Sequence, residues 1–187
     1  MQLRQNGADV TITGTGRLLA ACQDADRATV ERLLARDPGL PGRIPAAQQA
    51  AALVHAAETG NIAAITLMLD LGFPVDGRGD DGGTALHAAA YSGSAPAVRL
   101  LLDRGAGIEA RDTSWDSTPV EWAAIGSGEQ PASDPRPDWA GAVQALLDAG
   151  ASARDITLSP DDPKPPSAEV AALLRRHGVP AQHDERL

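Results

Sequence analysis

The chain has 187 residues, enough for one ordinary domain or a short repeat array, and 43% are apolar although only five are Phe, Tyr or Trp. Alanine, leucine and valine supply most of that apolar content, which suits closely packed helices and argues against a sandwich or barrel core. The net charge is −9, with Lys164 the sole lysine beside fifteen arginines, and this disfavours binding to phosphate backbones. The lone Cys22 excludes an internal disulfide and suits a reducing compartment. No apolar run is long enough to span a bilayer and no early stretch has the form of a signal peptide, so a soluble cytoplasmic protein, without membrane or nucleic-acid partners, is expected.

Taken in chain order, Leu3-Arg-Gln-Asn-Gly7-Ala8-Asp9 reads as the end of a helix and its exit turn, as if the chain began inside a repeat. Leu18, Ala21 and Cys22 then mark a first helix, Ala25-Asp26 a turn, and Val30, Leu33 and Leu34 a second helix. The next unit is clearer: Ala51-Ala-Leu-Val-His-Ala-Ala-Glu-Thr-Gly60 is followed by a second helix carrying Ile65, Met68 and Leu69 and stopped by Gly72. The same pattern returns 33 residues later as Thr84-Ala-Leu-His-Ala-Ala-Ala-Tyr-Ser-Gly93, then 34 residues later as Thr118-Pro-Val-Glu-Trp-Ala-Ala-Ile-Gly-Ser127. Their second helices carry Val98, Leu101 and Leu102 before Gly105, and Val143, Leu146 and Leu147 before Gly150.

The Val-x-x-Leu-Leu spacing sets three apolar side chains on one helical face, with Leu69, Leu102 and Leu147 expected in equivalent buried seats. Asn61, Ser94, Asp138 and Ser167 stand where N-caps belong. Gly72, Gly105, Gly150 and Gly178 stand where a helix exit needs a left-handed residue. About eleven additional residues fall in the third copy of the pattern, around 126–137, and their Gly and Pro content is expected to end the first helix and form a bulging loop. The last copy keeps only Val170, Leu173, Leu174 and Gly178, after a Pro-rich stretch from Ser159 to Pro166.

The Thr84 and Thr118 segments resemble the ankyrin motif Thr-Pro-Leu-His-x-Ala-Ala, which Leu-Leu-x-x-Gly-Ala completes, and the resemblance covers roughly residues 15 to 180. It implies an all-α ankyrin-repeat solenoid of stacked helix-turn-helix units. Repeats are expected at about 15–45, 46–78, 79–111 and 112–153, with a partial cap at 154–180 and a tail at 181–187. One helix pair cannot bury its own apolar face, so stacking supplies the core. The resemblance also implies that His87 bonds the Thr84 hydroxyl. Departures are Ala51 and Val54 in one unit, and Glu121 and Ser127 in another, where the family has Thr, His, His and Gly.

The same resemblance implies a monomeric module that binds another protein through its concave groove and the inserted segment. Turn tips offer Arg78, Asp80, Asp81, Arg111, Ser114 and Trp115; first helices offer Glu58, Thr59, Tyr91, Ser92 and Ile125. All three tryptophans fall between residues 115 and 139. Trp122 is expected against the preceding repeat, Trp139 anchoring the insertion, and Trp115 in the groove. The alternative is a small-molecule site or an enzyme with a pocket near Trp115, Glu121 and Trp122, where Asp112, Asp116 and Glu121 gather with raised pKa values. Against catalysis, no nucleophile-base-orienter set and no cofactor or metal motif is present. Gly77-Arg-Gly-Asp-Asp-Gly-Gly83 lacks the ending of a phosphate-binding loop, and its Arg-Gly-Asp reads as a turn.

Overall fold

The computed structural model describes residues 13–129, 137–156, 158 and 164–180. The expected helix exit at residues 3–9, most of the insertion and the tail lie outside the described residues.

Short helices arise in pairs. α1 (Gly14–Gln23) is followed by α2 (Arg27–Arg36), α3 (Ala46–Glu58) by α4 (Ile62–Asp70), α5 (Ala85–Tyr91) by α6 (Ala95–Asp103) and α7 (Pro119–Glu129) by α8 (Trp139–Asp148). A last helix, α9 (Ala168–Arg176), has no paired first helix among the described residues. The members of each pair pack on each other, α3, α5 and α7 pack side by side, and α4, α6, α8 and α9 do the same in a second row. This is the helical repeat stack anticipated from the period.

Local chemistry sets the helix boundaries. The Asn61, Asp138 and Ser167 side chains accept the backbone N–H groups of Ala64, Gly141 and Val170, so three expected caps are present. Ser94 occupies the N-cap position of α6, but its hydroxyl makes no capping bond. At the turns between paired helices, Gly60 and Gly93 adopt φ of 65° and 68°. In the first pair Ala25 takes that seat at φ 54°, a left-handed conformation that costs an alanine about 1 kcal/mol.

In the third copy no glycine occupies the corresponding position, which is Ser127, and no left-handed residue stops the helix there. The expectation that residues 126–137 leave the helix at once is therefore corrected: α7 runs on through Gly126, Ser127 and Gly128 to Glu129. The two glycines serve close packing. A Cβ on Gly126 would lie 2.1 Å from the Tyr91 carbonyl oxygen, and one on Gly128 would lie 2.3 Å from that of Pro165. Ser127 Oγ accepts the Ser167 N–H at 3.0 Å, completing the contact with the segment that leads into α9.

A continuous apolar core runs the length of the stack. Leu69, Leu102 and Leu147 are equivalent, as expected, but each is only half-buried. The sealed seats belong to the preceding residues, Met68, Leu101 and Leu146, all with no exposed surface.

Candidate functional site

Two turns project beside the first helices and carry the chemistry. In the first, Arg78 pairs with Thr84 and Gly79 N–H donates to the Gly83 carbonyl. The Arg78 guanidinium is spent inside the scaffold, donating to the carbonyls of Gly82 and Arg111, each at 2.7 Å. The second turn, residues 111–118, leans on the first: Ser114 Oγ donates to the Asp81 carbonyl at 2.7 Å.

The second turn is organised by one buried carboxylate. Asp112 Oδ1 accepts the N–H groups of Ser114 and Trp115 at 2.8 and 2.6 Å, and Oδ2 accepts those of Ser117 and the Trp122 indole at 3.0 Å each. Burial pushes its pKa upward, but the donors outweigh that and hold it below the usual carboxylate range. Asp112 is thus a structural anion, and the raised pKa expected for an acid at this position is corrected.

The other carboxylates of the expected acid cluster do not join it. Glu121 Oε2 accepts both the N–H and the hydroxyl of Thr118, at 2.6 and 2.8 Å, and so ties the residue preceding α7 to the helix's first turn, as the Glu of a capping box does. Asp116 is exposed, left-handed at φ 56°, and sits 3.7 Å from Arg111. Arg111 itself donates to the Asp116 carbonyl and to Asp155, each at 2.6 Å.

His87 has the role inferred from the motif and one more. Thr84 N–H donates to its Nδ1 at 3.1 Å, which makes Nδ1 an acceptor, and the Thr84 hydroxyl lies 2.9 Å away. The ring hydrogen is therefore on Nε2, which donates to the Ser117 carbonyl at 3.0 Å and ties α5 to the next turn. Burial is the main reason its pKa falls below 6.5.

Trp122 is the hub of an aromatic cluster. Its ring meets His87, Tyr91 and Trp115 edge to face, with centroids 5.2, 5.9 and 5.7 Å apart. Trp122 thus packs against the preceding repeat, as expected. Trp139 is buried and donates its indole N–H to the Tyr91 carbonyl at 2.9 Å, fastening the return from the insertion to the end of α5.

These elements enclose a groove of about 470 Å³. α3 contributes Val54 and Glu58, and the first turn contributes Asp81. Ala88 and Tyr91 come from α5, Trp115 and Ser117 from the second turn, and Trp122, Ile125 and Glu129 from α7. Of the residues singled out from sequence, Glu58, Asp81, Tyr91, Trp115, Trp122 and Ile125 come together here. Arg78, Asp80, Ser92, Arg111, Asp116 and Glu121 do not line it; Ser92 turns its hydroxyl to the Ala89 carbonyl.

Sequence reasoning missed Val54, Ala88, Ser117 and Glu129. Val54 and Ala88 lie one turn before Glu58 and Tyr91, a spacing that was legible. Glu129 was not, because it belongs to the helical extension of α7. Its carboxylate accepts the Tyr91 hydroxyl at 2.9 Å and the Lys164 ammonium at 3.0 Å, and these donors hold its pKa below the usual range.

Among the described residues no group of three or more His, Cys, Asp or Glu is placed to hold a metal ion, and no helix is long and apolar enough to cross a membrane.

Helix pairs in two packed rows, with a Thr84-His87 cap on α5, define an all-α helical repeat protein. The chain belongs to the ankyrin-repeat family: the family model described as ankyrin repeats, three copies, matches residues 18–112, just over half of its length. α7, α8 and α9 lie beyond that match. No curated protein matches the chain. Ankyrin repeats are in general protein–protein interaction modules.

Proposed function

We propose that this chain is a monomeric, cytoplasmic interaction module that seats a segment of another protein in the groove over α3, α5 and α7. One observation carries the reading. The two large apolar side chains that stand exposed among the described residues, Trp115 at 67% and Ile125 at 46%, line the same groove. Single exposed apolar residues are ordinary, but two sharing one concavity with Tyr91 and Trp122 form a patch that a partner would cover. The inserted segment takes part through Glu129 at its start. A reducing compartment accords with Cys22, a buried thiol whose pKa is pushed up to about 11.

The test is affinity capture from native lysate with the wild-type chain, Trp115→Ala and Ile125→Glu, with urea midpoints as a check on folding. Loss of the same captured protein with both variants supports the reading; equal capture by all three overturns it. A second reading, a small-molecule site, rests on the groove's size, which falls within the range of roughly 300 to 1,000 Å³ common for such sites. Native mass spectrometry of the purified chain, searching for a bound compound lost in Trp115→Ala, checks it.

A further inference from the structure

We propose that the groove recognises a basic segment of its partner by seating one arginine side chain on the cluster formed by Tyr91, Trp115 and Trp122, an inference that rests on the docking role proposed above.

The charges around the groove point to a cation. Its charged lining residues are Glu58, Asp81 and Glu129, which reach it from α3, the first turn and α7. Glu129 is already engaged by Lys164 and Tyr91. Among the described residues Glu58 pairs with the imidazole of His55, 3.7 Å away, and Asp81 accepts the Gly83 N–H at 3.1 Å. Among the described residues neither Glu58 nor Asp81 forms an ion pair with an arginine or lysine. The groove therefore keeps negative charge on two sides, in a chain whose net charge of −9 steers basic partners toward it.

The rings supply the second half of the argument. Aromatic faces carry the negative lobe of the ring quadrupole, and a cation placed over them is attracted. Trp115 and Tyr91 meet the central Trp122 ring at interplanar angles of 67° and 75°, so the three rings that line the groove stand at steep angles to one another. The exposed Trp115 leaves ring surface open to a ligand.

An apolar side chain would cover these rings but offer the neighbouring, exposed Glu58 and Asp81 carboxylates no counter-charge. An anionic segment would meet like charge. Between the two basic side chains, a guanidinium is planar, stacks on rings and sheds water more readily than an ammonium, so arginine suits this aromatic floor better than lysine.

The experiment selects displayed random peptides on the full chain and on Trp115→Ala, then measures synthetic peptides by fluorescence anisotropy. Peptides that require Trp115 are expected to share an arginine. Replacing it with citrulline, neutral and of nearly the same shape, is expected to weaken binding roughly fivefold or more. The double variant Glu58→Gln and Asp81→Asn, its folding verified by urea midpoint, is expected to weaken binding and flatten its salt dependence. Trp115-dependent peptides that tolerate citrulline, or bind equally with lysine, overturn the arginine inference and leave the docking role standing. Selection of no Trp115-dependent peptide at all overturns both.

Discussion

The Asp112 carboxylate and the Trp122 indole are joined across a 3.0 Å hydrogen bond, which fastens the tip of a turn to the floor of the groove. Because Asp112 also accepts the Trp115 N–H, one buried anion positions two of the groove's three large rings. Asp112→Ala would leave its four donors without a partner in a nearly buried site. The expected loss is roughly 2 to 4 kcal/mol, with a shift in tryptophan emission as both indoles move. Urea unfolding followed by fluorescence checks it; an unchanged midpoint and spectrum contradict the role given to Asp112.

His87 should make stability depend on pH in a defined direction. Its pKa is lowered from 6.5 in the folded chain, chiefly by burial, so the unfolded chain binds the proton first. The neutral ring's contribution is complete above 6.5 and is lost as the pH falls from there through the depressed folded value. Urea midpoints should fall between about pH 7.5 and pH 5, and His87→Gln, which keeps a capping side chain but does not titrate, should show a shallower fall. Identical slopes in the two proteins would remove His87 as the source.

Ala25 offers a stabilising change. It occupies, at φ 54°, the left-handed seat that Gly60 and Gly93 fill in the next two helix pairs. Ala25→Gly relieves that strain, partly offset by the lost methyl contact and the freer unfolded chain, for a net gain of about 0.5 to 1 kcal/mol. A lower melting temperature in the variant would contradict this.

The repeat and its caps were legible because they are local: a 33-residue period, a Thr three residues before His87, and cap residues at fixed offsets. The groove was half legible. Tyr91, Trp115 and Ile125 stand at positions that the ankyrin resemblance assigns to the groove. Glu121 carries a legible structural signal, because Thr118-x-x-Glu121 is a capping pattern. What pattern alone could not supply was pairing across long separations. Glu129 meets Tyr91 and Lys164, 38 and 35 residues away, and the donors around Asp112 converge only once the turn has formed.

The Leu-Leu pairs divide their labour in a way that can be measured. Leu146 is sealed while Leu147 is half-buried. Leu146→Ala should cost roughly 2 to 5 kcal/mol and Leu147→Ala clearly less, because the first leaves a cavity and the second leaves surface that solvent can reach. In a stack of neighbours the larger loss should also loosen α6 and α9, read as faster hydrogen exchange there. Equal costs for the two variants would place the core face of α8 wrongly.

Gly126 and Gly128 set helix propensity against packing. In an isolated helix, alanine at either position would be favoured by about 1 kcal/mol. In the folded chain the added methyl would meet the Tyr91 carbonyl oxygen at 2.1 Å or the Pro165 carbonyl oxygen at 2.3 Å, both backbone atoms with little room to move. Packing should win, with each Gly→Ala change costing a net 1 to 3 kcal/mol or so. The two sites should then differ in where they act. Gly126→Ala pushes α7 from α5 and should disturb the Tyr91 side of the groove. Gly128→Ala should release the segment 164–167 and with it the Lys164 contact to Glu129, raising exchange in α9 first. If either alanine stabilises the protein, propensity governs, and α7 does not lie as close to its neighbours as these contacts require.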